Sequence, residues 1–294
     1  MPISQHVPSL HHRKTAFLTV AIAAVVCGAV PTAAQGPLGT AQPFGVLGAS
    51  TVTNTGATTV KGDLGVWPGT SITGLGSITL TGTLHDADAV AQQAQSDATT
   101  AFNMVAALPS AIDLSGQDLG GMILTPGTYS FSSSAQLTGN LFLNFLGNPN
   151  ANFFFQIGST LTTASGSSIF AINGAPGDGL FWQVGSSATL GTSSSFAGNI
   201  IADQSITLTT DASIICGRAI ALNGAVTLDN NVVSNDCANG GDFATRRSDF
   251  GTMGFSGAAS VTTTPEPSSL ALMVPGCLAL AGFVRRRRRT RACV

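Results

Sequence analysis

The chain has 294 residues and a formal net charge of −2, with only 9% charged and 6% aromatic residues. An ordinary soluble domain is about 25% charged, so few side chains remain for acid–base or metal chemistry. A hydrophobic content of 44% nevertheless excludes a disordered chain. Gly, Ser and Thr supply 98 residues, one third of the total, which predicts a turn-rich, mainly β architecture. Between Gln35 and Thr264 lie 13 Asp, no Glu and four cations (Lys61, Arg218, Arg246 and Arg247), a net charge of −9. Nucleic acid is therefore not an expected partner, because phosphate binding needs clustered Lys and Arg.

The N-terminal segment opens with His11, His12, Arg13 and Lys14, followed by an apolar run from Ala16 to Val30. Thr32-Ala33-Ala34 then supplies small residues for cleavage. This order predicts a secretory signal over residues 1–34, processed by signal peptidase, with Gln35 near the mature start. The apolar run is short for a membrane span.

Further along, apolar positions at Ala91, Ala94, Ala98, Ala101, Phe102, Val105 and Leu108 recur at steps of mainly three and four. That spacing predicts a helix over 87–108 with one Ala-rich face. Asp86 is placed to cap it, Asp88 to complement its positive end, and Pro109 to stop it. A rod of this length spans about 33 Å.

After the helix come short strand-like runs broken by Gly, Asn and Asp. The pair Thr-Leu recurs at 79–80, 160–161, 189–190, 207–208 and 227–228. Aligning the later pairs also aligns Phe181 to Val184 with Ile200 to Ala202 and Ala219 to Ala221. A period near 20 with strand–turn–strand content predicts a β-solenoid whose coils stack at about 4.8 Å. Cys216 and Cys237 are 21 residues apart, close to one coil. They are candidates for a disulfide between neighbouring coils, in an oxidising compartment.

Residues 238–264 are rich in Gly, Ser and Thr without apolar periodicity and read as a linker. Thr264-Pro265-Glu266-Pro267 follows, then an uncharged, mostly apolar stretch over 268–284, then Arg285 to Arg289 and Arg291. The stretch is just long enough to cross a thin bilayer, and the Arg cluster marks its cytoplasmic side. Together, Pro265, Glu266, Pro267, the span and the cluster resemble the PEP-CTERM sorting signal of Gram-negative bacteria that make exopolysaccharide. That resemblance implies transient inner-membrane anchoring, processing by an exosortase and delivery to the cell surface or matrix. The expected organisation is a signal peptide (1–34), a solenoid domain (35–237), a linker (238–264) and a sorting signal (265–294).

A second resemblance covers the body. Its segments are Thr53-Asn54-Thr55-Gly56, Gly62-Asp63-Leu64-Gly65, Pro68-Gly69-Thr70 and the helix beginning Ala87-Asp88-Ala89. Leu124-Thr125-Pro126-Gly127-Thr128-Tyr129, Phe153-Phe154-Phe155-Gln156-Ile157-Gly158 and Phe181-Trp182-Gln183-Val184-Gly185 follow, with Gly217-Arg218 and Val226-Thr227-Leu228-Asp229 at the end. Residues 37–233 thereby resemble the microbial ice-binding protein family. The resemblance implies an irregular right-handed β-helix with one long α-helix packed alongside, and adsorption to ice.

If the Leu of each Thr-Leu pair points inward, its neighbours point outward. The candidate ice-binding residues are then Thr160, Thr162, Thr189, Thr207, Thr209 and Thr227, with Thr79 and Thr81 as a further rung. Gly191 and Asp229 interrupt this grid. The competing explanation is β-propensity alone. Thr55-Gly56-Ala57-Thr58 fits a Thr-(Ala/Gly)-x-(Thr/Asn) pattern carried on the binding face of some family members.

No catalytic residue, metal site or cofactor is expected. His85 is the only His of the body and sits at the helix entrance, the 13 Asp are scattered, and no His/Cys cluster has zinc spacing. Asp229-Asn230-Asn231 has calcium-ligand chemistry but is also ordinary turn sequence, and Arg218 is expected to pair with a buried Asp. The alternative to ice binding is a non-catalytic structural or adhesive protein of the exopolysaccharide matrix.

Overall fold

The structure, a computed structural model, describes residues 36–110, 112–175, 177–236, 255 and 257. The expected signal peptide, most of the linker, the sorting signal and Cys237 lie outside the described residues. Among the described residues no helix is long and apolar enough to cross a membrane.

Parallel strands form two sheets, one of fifteen strands and one of seven. The larger sheet bends where the long strands Ser195–Ala202 and Ser213–Ala221 turn a corner, giving the coil three faces. At that corner the pairing shifts between Ala197 and Gly198, opposite Cys216 at φ +61°. A side chain on Gly217 would meet the carbonyl oxygen of Gly198 at 2.0 Å, so only glycine allows the approach.

Chain order and coil order differ. The N-terminal coil stacks on the last one, pairing Val46 with Ala219, Thr53 with Thr227 and Thr59 with Val232. A second N-terminal coil continues outward through Leu47↔Gly65, Thr53↔Thr73 and Thr59↔Thr79, and Leu84–Asp86 closes that end. The helix α1, Ala89–Ala106, then leads the chain to Ile112–Asp113 at the opposite edge of the sheet, and the remaining coils return to meet the first.

Helix α1 is two residues shorter at each end than expected. Asp88 is the N-cap, accepting the Ala91 N–H at 2.8 Å, whereas Asp86 belongs to a strand. The Ala91 N–H, then the His85 side chain, hold the Asp88 carboxyl below its ordinary value. At the other end Gln156 Nε2 donates to the carbonyls of Val105 and Leu108, both at 2.7 Å, satisfying groups that a helix terminus leaves open. Ala91, Ala94, Ala98, Ala101 and Val105 pack on Phe44, Leu47, Phe181, Ile201 and Ile220, the outward residues of one face. Small side chains let the helix lie close to the sheet and cover its apolar outward residues.

The main core fills the coil interior with inward residues of all three faces. Trp182 is fully buried, stacks on Phe155 with ring centroids 3.9 Å apart and donates its Nε1–H to the Ala197 carbonyl. Arg218 is also fully buried. It donates to the carbonyls of Phe44 and Gln42 and to Asn199 Oδ1, and burial lowers its pKa to about 9. Backbone carbonyls and an amide oxygen thus help to hold this buried cation. Phe255 departs from the linker expectation. It is 4% exposed, stacks on Phe145 at 5.4 Å, and its carbonyl accepts from Leu180 N and Asn199 Nδ2.

Candidate functional site

The seven-stranded sheet forms the face without the helix. Its strands run in the order Ala135–Leu137, Leu161–Thr163, Ala188–Leu190, Ile206–Leu208, Val226–Asp229, Thr51–Thr55 and Ser71–Thr73. Inward positions are Ala, Leu, Ile and Val with few exceptions, and they are buried. Outward positions are mostly hydroxylated.

The central outward file reads Gln136, Thr162, Thr189, Thr207, Thr227, Thr53 and Thr73, each paired with the next in direct register. Six consecutive coils therefore present Thr at one position. Neighbours along the file are about 4.8 Å apart, and outward positions along a strand about 6.6 Å apart. Thr162 and Thr73 are exposed and the other four half-buried by their neighbours. No hydroxyl of these six donates to or accepts from another described residue. Each carries one donor and two acceptor sites free for water, beside a methyl that fixes its rotamer by crowding.

Two files flank the central one. On one side stand Ser134, Thr160, Ser187, Ser205, Ala225, Thr51 and Ser71, one coil after another. Here Thr160 donates to Ser134 at 2.8 Å. On the other side stand Gly191, Thr209, Asp229 and Thr55. Thr209 donates to the Leu190 carbonyl at 2.8 Å, and Thr55 and Thr210 donate to the two oxygens of Asp229 at 3.0 and 2.5 Å.

Of the candidate residues, the structure brings Thr162, Thr189, Thr207 and Thr227 into one line. Thr160 and Thr209 lie in the flanking files. Thr79 and Thr81 are a correction: Thr79 sits on a strand of the other sheet, beside Thr59, and Thr81 accepts the Gly62 N–H there. Their Thr-Leu pair repeats the sequence but occupies a different side of the coil. The Thr55–Thr58 motif also turns a corner. Gly56 has φ +71°, and Thr58 is buried and accepts the Asn231 N–H. Gly191 is not a missing side chain in a flat grid, because a Cβ there would lie 2.5 Å from the Thr163 carbonyl.

Thr53 and Thr73 escaped the Thr-Leu search because Asn54 and Gly74 follow them. Alternation within Thr51-Val52-Thr53-Asn54-Thr55 was the available signal. Among the described residues no group of three His, Cys, Asp or Glu is arranged to hold a metal. Asn231 is buried and anchors the turn by donating to the carbonyls of Thr209 and Ala212. His85 Nδ1 lies 2.8 Å from Asp88 and so ties the end coil to the helix cap.

Residues 46–234 match the Ice-binding-like family. The chain belongs to that family. An ice-binding protein of Nostoc sp. (strain HG1) is 50% identical over 253 residues, spanning 86% of this chain and 87% of that one. Among solved structures, an ice-binding protein from an Antarctic biological consortium superposes with a TM-score of 0.64 at 47% identity, over 69% of this chain and 92% of the other. That of the Antarctic ascomycete Antarctomyces psychrotrophicus gives 0.63 at 42%, over 67% and 96%. The mainly β architecture with a single long helix is therefore the architecture of the family.

Proposed function

We propose that the protein adsorbs to ice through the helix-free face, without catalysis; its relatives are named as ice-binding proteins. The observation that carries the reading is the unbroken file of six Thr whose hydroxyls have no partner among the described residues. Methyls pack against ordered water and hydroxyls anchor it, so a rigid, regular array of both holds water at fixed spacings. A parallel stack supplies that rigidity, since every coil is hydrogen-bonded to its neighbours. The winding is taken as right-handed, the hand that parallel crossovers favour.

The basic, apolar and small-residue order of 1–34 supports export. Cys216 is disulfide-bonded, and Cys237 one coil later is its proposed partner, consistent with an oxidising compartment. The Pro-Glu-Pro tail supports exosortase processing and delivery to a Gram-negative cell surface, with 268–284 as a transient anchor. That same tail favours a second reading, a structural matrix protein in contact with exopolysaccharide. Ice recrystallisation assays on wild type and a Thr189→Tyr/Thr207→Tyr variant separate the two. Ice binding predicts inhibition by wild type that the folded variant lacks. Absence of inhibition by both folded proteins supports the matrix reading.

A further inference from the structure

The flanking file that contains Asp229 is built unlike the rest of the face. In the strand Val226–Asp229, burial alternates so that Thr227 and Asp229 both point outward. Asp229 stands directly beside Thr55, in register. Its two carboxylate oxygens accept hydrogen bonds from the hydroxyls of Thr55 and Thr210. Its own backbone N–H is held by Asn231 Oδ1 at 2.5 Å, so the strand end cannot swing the carboxylate away without breaking the turn. Next to it Asn230 Nδ2 donates to Asp211 Oδ1, which places a second carboxylate beyond the first.

We propose that Asp229 sets one border of the ice-contact surface by silencing the Thr55 and Thr210 hydroxyls. The proposal deepens the ice-adsorption reading and rests on it. A hydroxyl has one proton to donate. Those of Thr55 and Thr210 are committed to the carboxylate, whereas those of the central file have no partner among the described residues. A carboxylate also orients water radially around its charge, and shedding that shell is costly when no counter-charge replaces it. Ice supplies no counter-charge. The surface that meets ice is therefore the central Thr file with the Ser/Thr file on its far side, and it ends at Asp229. An uncharged side chain at 229 removes the hydrated charge and loosens the hold on the two neighbouring hydroxyls, widening the contact by one file.

The test is ice-affinity partition of the full-length protein at sub-saturating concentration, with melting followed in parallel. Wild type, Thr207→Tyr, Asp229→Asn and Asp229→Thr are compared. The expected order of incorporation into ice is Asp229→Thr, then Asp229→Asn, then wild type, with a severalfold rise for the first and loss for Thr207→Tyr. Asn keeps the shape and one acceptor but no charge, so it serves if the Thr variant does not fold. Wild-type incorporation that Thr207→Tyr abolishes, with no gain in either folded 229 variant, overturns the border while leaving the ice reading intact. Absence of incorporation for all four proteins overturns both.

Discussion

Two faces of the same coil use the same inward pattern and opposite outward ones. Beneath α1 the outward residues are Leu47, Phe154, Phe181, Ile201 and Ile220, and the helix covers them. On the helix-free face they are mostly Thr and Ser, and nothing among the described residues covers them. The inward residues hold both faces in register, so outward residues are free to specialise. One layer was spent on joining the helix to the stack, the other left as a regular polar surface. Mutations at outward positions should then act on stability under the helix and on ice adsorption opposite it.

The largest expected effect is Phe181→Ala. Phe181 is fully buried and stacks on Phe154 at 5.4 Å. Its loss should cost about 3–5 kcal/mol by urea unfolding, while the fraction that remains folded still partitions into ice. A comparable loss of stability from truncating Thr207 would erase the distinction between the faces.

A smaller effect concerns how the helix is fastened. Burial opposes ionisation of Asp97, but the Thr40 N–H and hydroxyl, each donating at 2.7 Å, with Gln93, hold its pKa below the ordinary 3.8. A carboxylate with a lowered folded pKa stabilises the fold above its unfolded pKa, and this contribution is lost as pH falls through the folded value. Between about pH 5 and pH 3, wild-type stability should therefore fall more than that of Asp97→Asn. Parallel pH profiles from thermal melts would contradict the assignment.

The smallest change in stability is expected at the Thr file itself. Thr207→Val keeps the β-branched shape and removes a hydroxyl with no partner among the described residues, so unfolding free energy should stay within about 0.5 kcal/mol of wild type. Ice partition should weaken, because the anchoring hydroxyl is gone while the methyls remain.

Much of this was legible in the sequence where a residue type has one physical use. The Ala spacing of α1 admits only a helix face, and the aligned strands Phe181 to Val184 and Ile200 to Ala202 pair as expected, Val184 with Ala202. The Thr-Leu pairs at 189, 207 and 227 fall in register because Leu must point inward in each. The Thr160-Leu161 pair is offset by two residues, since Leu161 aligns with Ala188 and Thr162 takes the place in the central file. Thr79 carries the same dipeptide on another side of the coil, which the dipeptide does not encode. Thr53 lacks the pair because Asn54 replaces Leu inside, bonding to Gly56 and Ser77 instead of packing. The coil order was hidden as well. The pairing of residues 46–60 with 219–233 depends on contacts far apart in sequence, which no local pattern specifies.

The central claim is that the helix-free face is the surface that meets ice. The most direct measurement is ice-affinity partition of wild type beside two single Tyr variants that each add bulk to an outward position. Thr189→Tyr alters the central Thr file and Thr79→Tyr the other sheet. The account predicts that wild type and Thr79→Tyr enter the ice and that folded Thr189→Tyr stays in the liquid. Equal partition of all three, or exclusion of Thr79→Tyr alone, would contradict it.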